Sequence, residues 1–271
     1  MMRALWTAAS GMTSQQTNVD TIANNISNIN TAGYKSEKAE FKSLLYQNLQ
    51  SRSTNSDGTN KPVAAQVGLG TRTASITSNF EQGSLSETGA FMDWALEGKG
   101  FYKVDTGANG IAYTRNASFS LTIVDGGSMV TTAEGYPVLD VDNDPMIISD
   151  EYSISTLSIS DDGRLYAEDA NGEKHDLGIR VGLAQFSNPA GLEKAGNSLF
   201  RVTSASGVAM EESASQNLKA SKIHQGYLES SNVSAADEMV DLIVAQRAYE
   251  MNSKCITAAD TMMQQANNLR G

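Results

Sequence analysis

The 271-residue chain has a single cysteine, Cys255, so no disulfide can form within it and the fold does not rest on an oxidising compartment. It has only two histidines, His175 and His224, far apart and without ligand-spaced partners, which argues against a metal site. No window approaches the ~20 apolar residues of a membrane span. The opening residues lack the apolar core of a secretory signal, because Thr7, Ser10, Thr13, Ser14, Gln15 and Gln16 interrupt them. Membrane insertion is therefore not expected, and composition alone points to the cytoplasm. Positive charge is also short. Lys and Arg total 20 against 31 Asp and Glu, giving a net charge of −11 and a pI near 4.6, and a surface this acidic repels nucleic-acid backbone. No Gly-x-Ser-x-Gly elbow occurs, and Gly98-Lys99-Gly100 lacks the glycine spacing and the Lys-Ser/Thr pair of a phosphate loop. Cys255 has no histidine near it in sequence and reads as a small packing residue. The sequence predicts no enzyme activity and no cofactor.

The acid is unevenly spread. Residues 1–50 hold Arg3, Lys35, Lys38 and Lys42 against Asp20, Glu37 and Glu40, and residues 234–271 are only slightly negative, so the middle carries nearly all the excess. Near-neutral ends can crowd together, while an acidic middle stays hydrated.

Both ends have a helical period. Leu5, Met12, Val19 and Ile26 recur every seven residues, with Ala8, Gln15, Ile22 and Ile29 offset by three. That is a two-position seam over about four heptads. It predicts a helix of roughly 28 residues, about 42 Å long, with Gly33 as its stop. Near the other end Leu242, Tyr249, Ile256 and Met263 repeat at seven, and Ala245, Asn252, Ala259 and Ala266 repeat with them. Ser234 with Asp237 forms a start resembling a capping box, and the helix should run roughly 35 residues, about 52 Å.

The middle changes character. Residues 51–61 are polar and read as a linker. From about Val67, short alternating runs follow, at Phe101–Val104, Phe119–Val124, Tyr152–Ile159 and Ile179–Phe186, with turn signals at Asp125-Gly126, Asp162-Gly163 and Asn171-Gly172. The expected fold class is α+β: long terminal helices pairing as a coiled-coil domain, with a central all-β domain.

A stripe two positions wide in seven is too thin to bury a helix in a globular core, and suits a coiled-coil seam. Its alanines bury little area at roughly 25 cal/mol per Å². A lone pair of such helices should be loose in the monomer and firm in an assembly; the alternative is a helical hairpin packed on the β region without assembly. Asn18, Asn24, Asn25 and Asn28 are poor helix formers. Their amides could fix register against other helices, or simply be solvated.

The segment Ile22-Ala-Asn-Asn-Ile-Ser-Asn-Ile-Asn-Thr-Ala-Gly-Tyr-Lys35 resembles the N-terminal signature of the flagellar rod/hook (axial) protein family. Gln225-Gly-Tyr-Leu-Glu-Ser-Ser-Asn-Val233, followed by Glu238 to Glu250 with Gln246, Arg247 and Tyr249, resembles its C-terminal signature. Leu96–Val104, Tyr113-Thr-Arg115, Gly135-Tyr-Pro-Val138 and Leu183–Glu193 look like landmarks of its β domain. Nearly the whole chain is covered, in the family's order. Tyr34 stands where Phe is more usual, and Trp94 breaks a usually aliphatic run.

The resemblance implies family-motif residues at Asn24, Asn25, Asn28, Gly33, Gln246, Arg247 and Tyr249. It implies an assembly seam at Leu5, Met12, Val19, Ile22, Ile26, Ile29, Leu242, Tyr249, Ile256 and Met263. It divides the chain into 1–46 (N-terminal helix and following segment), 47–75 (polar linker or extended segment), 76–222 (β domain) and 223–271 (C-terminal helix). The function it implies is a structural subunit of the rod in the basal body. Met2–Gly11, Phe41–Gln47 and Gln66–Arg72 favour the rod's distal segment over its proximal segment or the hook. Its partners would be further copies of itself in a helical tube, other axial proteins, the flagellar export machinery and ring proteins around the rod. That replaces the cytoplasmic expectation with a place outside the inner membrane.

One motif points to another class. Asp140-Val-Asp-Asn-Asp144 followed by Glu151 puts carboxylates at positions 1, 3, 5 and 12 of a calcium loop. Pro145 occupies the position where that loop turns on glycine, and the flanks read as strands. A solvated acidic turn is the reading preferred over a calcium-binding β module.

Overall fold

The computed structural model describes residues 2–50, 65–107, 110–150, 152, 156–168, 173–213 and 218–269. The predicted linker at 51–61, the Asn171-Gly172 turn and Glu151 lie outside the described residues. The architecture is α+β, with a helix at each end of the chain and β structure between them. The chain forms two compact units, one of residues 1–27, 37–78 and 234–271, the other of 28–36 and 79–233.

In the first unit, helix α1 spans Met2–Ser27 and helix α2 spans Ala235–Asn268. The period at each end predicts both. Helix α1 stops six residues before Gly33, so Ile29 lies beyond its end, off the helical seam. The cause is local. The Asn28 carbonyl takes the Thr31 N–H, and the Asn28 side-chain oxygen accepts from the Thr31 hydroxyl at 3.1 Å. Asparagine competes in this way with the helical ladder. Ser234 precedes α2 in extended conformation but makes no side-chain capping bond, so the expected capping box does not form. Asp237 and Glu238 in the first turn instead oppose the positive end of the helix dipole.

The two helices pack on small residues. Ala8, Ser14, Thr21, Ile22 and Asn25 are buried on α1, and Ala245 and Ala259 on α2. A Cβ added at Gly11 would come within 2.9 Å of the Asn252 amide, so glycine permits the close approach there. Strand Glu37–Ser43 pairs antiparallel with Thr71–Ser78, with an irregularity at Glu40/Phe41, and Ser14 meets Thr71 hydroxyl to hydroxyl at 3.2 Å. Tyr46–Gln50 and Ala65–Gly68 form a second antiparallel ribbon. The described part of the expected 47–75 segment is thus β structure.

Among the described residues the second unit holds four sheets. The largest has six strands, in the order Glu193–Gly196, Leu199–Arg201, Ile111–Thr114, Phe101–Asp105, Leu183–Gln185, Met210–Glu211. Another runs Lys222–Gln225, Trp94–Glu97, Tyr227–Glu229, Leu85–Glu87. Phe119–Val124 and Gly127–Thr132 form a hairpin about Asp125-Gly126, and Asp162-Gly163 turns Ser158–Ile159 into Arg164–Glu168. Of the expected run at Tyr152–Ile159, only Ser158–Ile159 is strand among the described residues. The run at Ile179–Phe186 breaks at Gly182, whose Cα lies so close to the Asp140 carbonyl that no Cβ fits. Trp94, Leu96, Tyr102, Val104, Val130 and Leu165 are fully buried in the main core. Phe101, Tyr113, Phe186 and Phe200 form a second cluster of edge-to-face rings.

Candidate assembly surface

The terminal-helix unit carries apolar residues on two faces. Of the expected seam residues on the helices, Leu5, Met12, Val19, Ile26, Leu242, Ile256 and Met263 are half-buried and Ile22 is buried. Tyr249, also on the expected seam, is 43% exposed. The other face of α2 is bare. Val240, Val244, Met251 and Met262 recur at helical spacing and are between 51% and 61% exposed, with Met239 and Ile243 beside them. Trp6 on α1 is 72% exposed, and Leu45 just before the second ribbon and Tyr46 at its start are 82% and 61% exposed. Exposed apolar residues recurring along one side of a helix are the kind of surface found at interaction sites. The heptad reading missed it by scoring two positions in seven. The signal lies in Met239-Val-Asp-Leu-Ile-Val-Ala245, where the apolar arc of α2 widens well beyond a seam.

Among the asparagines, Asn25 is the clasp. At 1% exposure, its amide nitrogen donates to the Glu37 carbonyl at 2.8 Å and to Glu238 Oε1 at 2.9 Å, while its oxygen accepts the Glu37 N–H at 2.8 Å. One side chain thereby ties α1, α2 and the strand after α1. Burial raises the Glu238 carboxyl above its ordinary value of 4.5; Asp241 and Asp237 add to the shift and the Asn25 bond opposes it. Asn24 is exposed. Gln246 and Arg247 are exposed on α2, and Arg247 pairs with Glu250 at 2.9 Å.

Three quoted motifs converge in the β unit on one buried carboxylate. Glu229 receives Lys35 Nζ at 2.6 Å, Arg115 Nη1 at 3.3 Å and the Gly83 N–H at 2.9 Å, and all three charged side chains are at most 2% exposed. Burial lowers the Lys35 and Arg115 pKa values, and Glu229 opposes that in both. Gly33 donates its N–H to the Glu229 carbonyl at 2.8 Å. Its φ is +68°, and a Cβ there would lie 2.7 Å from the Arg115 backbone, so only glycine fits. Sequence reading quoted each motif but could not join them, since Lys35 and Glu229 stand 194 residues apart.

Lys103 reaches the acidic turn. Lys103 Nζ donates to the Val141 carbonyl at 3.2 Å and Asn143 Oδ1 at 2.8 Å, and pairs with Glu211 at 3.0 Å. Asp140 turns back to accept the Asp144 N–H at 2.9 Å, and Asn143 takes φ +68°. Strands rather than helices flank the turn, and among the described residues no cluster of three or more His, Cys, Asp or Glu is arranged to hold a metal.

The chain thus holds a β unit with a buried core and a terminal-helix unit with an uncovered apolar face. Residues 5–35 match the family described as "Flagella basal body rod protein", residues 95–167 match "Flagellar hook protein FlgE/F/G D1 domain", and residues 224–269 match "Flagellar basal body rod FlgEFG protein C-terminal". The protein "Flagellar basal-body rod protein FlgG" of Borreliella burgdorferi is 44% identical, over 100% of this chain and 99% of its own. Proteins of the same name from Caulobacter vibrioides and Agrobacterium fabrum are each 40% identical, covering 99% and 96% of this chain and 100% and 97% of theirs. The chain belongs to the flagellar rod/hook axial protein family.

Proposed function

We propose that this protein is a structural subunit of the distal rod of the bacterial flagellar basal body, assembling with itself into a tubular shaft that carries torque to the hook. The observation that carries this reading is the bare apolar stripe Val240–Val244–Met251–Met262 on a helix whose opposite face is already packed on α1. A stripe of this kind costs solubility in a monomer and is covered in a helical assembly of copies. Full-length likeness to proteins named for the basal-body rod supports the same reading. The terminal helices pair as a coiled-coil domain, the seam residues and family-motif residues fix their register, and the acidic β domain faces water. Neighbours in the shaft are other axial proteins, and ring proteins surround it. The subunit reaches this place through the flagellar export machinery, and its role is mechanical, with no catalytic step.

Immunogold microscopy of isolated hook–basal bodies tests the assignment. Label between the membrane rings and the hook is expected, and its distance from the hook separates distal from proximal rod. Label along the hook would move the protein to that segment, and intact, accessible structures without label would overturn the reading.

A further inference from the structure

The β unit is closed by residues from near both ends of the chain. Strand Trp94–Glu97 is the centre of its four-stranded sheet, and both its neighbours come late: Lys222–Gln225 on one side, antiparallel, and Tyr227–Glu229 on the other, parallel. Leu85–Glu87 pairs only with Tyr227–Glu229 in that sheet. Until residues 222–229 arrive, the strand holding Trp94, Ala95 and Leu96, each at most 1% exposed, lacks both ladder neighbours, and its backbone meets the early chain at its first residue, where the Trp94 N–H donates to the Ala117 carbonyl at 3.1 Å. The ion cluster has the same dependence. Lys35 and Arg115 are buried cations whose shared counter-charge is Glu229, and burying them without it is strongly unfavourable. The hairpin of Phe119–Val124 with Gly127–Thr132 and the pairing of Phe101–Asp105 with Ile111–Thr114 need only local partners.

We propose that Glu229 is a closing latch: the β unit remains open around Trp94, with its hairpins already formed, until residues 222–229 insert beside strand Trp94–Glu97 and Glu229 neutralises Lys35 and Arg115. The early chain thereby cannot complete its fold without the late chain. This goes beyond the rod assignment and is independent of it, since it concerns one chain refolding alone.

The chain has two tryptophans, Trp6 and Trp94. In full-length protein carrying Trp6→Phe, Trp94 is the sole tryptophan, and its selectively excited fluorescence reports closure. Refolding from urea is followed by stopped flow and by pulse-labelled hydrogen exchange. The expected result is that amides of 95–97 and 223–229 become protected together, in a phase later than those of 119–132. Glu229→Gln should slow the Trp94 phase at least tenfold and leave the hairpin phase unchanged. Protection of 95–97 ahead of 223–229 overturns the latch, as does an unaltered Trp94 phase in the variant. If Glu229→Gln does not fold, the order of protection in the parent decides alone.

Discussion

The two units solve burial in opposite ways. The β unit hides its bulkiest side chains, with Trp94 and Tyr102 at 0% and Phe101 at 1% exposure. The terminal-helix unit buries small ones, such as Ala8, Ala245 and Ala259, and leaves Trp6, Val244 and Met251 at 60% exposure or more. At roughly 25 cal/mol per Å² of apolar surface, the first arrangement yields a self-sufficient core and the second a marginal one. One unit covers its bulky apolar side chains within the chain, while the other leaves apolar surface uncovered.

The sharpest way to break this comparison is to damage the stronger unit. Trp94→Ala removes a fully buried indole that packs edge-on against Phe119 at 5.4 Å and donates to the Phe91 carbonyl. The expected loss is about 3–5 kcal/mol, read by urea titration of the near-ultraviolet signal of the β unit. Next comes the clasp of the weaker unit. Asn25→Ala leaves the Glu37 N–H and carbonyl without that partner, a cost of about 1–3 kcal/mol. Far-ultraviolet dichroism should show the helices melting earlier while Trp94 fluorescence is unmoved. If both signals shift together, the two units are not separate in stability.

A smaller effect on stability should have the largest effect on association. Val244 is 61% exposed, so Val244→Asp should change the stability of the monomer by no more than about 0.5 kcal/mol. Sedimentation and electron microscopy should nevertheless show polymerisation abolished. Ala245→Asp, one residue along at 1% exposure, should instead unpair the helices. Normal assembly of Val244→Asp would remove the bare stripe from the interface.

Much of this architecture is legible in the sequence, and what is not has a physical reason. The helices announce themselves because a seven-residue period persists for four turns or more, and the Asp-Gly turns because glycine reaches backbone angles that other residues avoid. Helix ends are governed by nearer rivals: the Asn28–Thr31 bond ends α1 before Gly33. The Lys35–Arg115–Glu229 cluster is invisible to any local window, because only topology brings residues 80 and 114 positions apart to one point. The calcium-like spacing at Asp140–Asp144 is real in sequence, but a local window does not show that Lys103 reaches the Val141 carbonyl and Asn143 Oδ1 within it.

The gentlest probe of the comparison is pH. Burial and two neighbouring acids hold the Glu238 carboxyl above 4.5 in the folded protein, while in the unfolded chain it returns to that ordinary value. Between the two values the folded state binds the extra proton, so stability of the helical unit falls as pH rises through that window and is recovered as pH is lowered toward 4.5. The group is partly exposed, which keeps the effect small. Glu238→Gln, which retains an oxygen to accept from Asn25, should flatten this slope in the helix melt. The β unit has no part in the Asn25–Glu238 bond, so its unfolding in the same buffers should be unaltered by the substitution. An equal change in both melts would mean that the two units unfold as one, and the contrast between a unit that covers its bulky apolar side chains and one that does not would have to be redrawn.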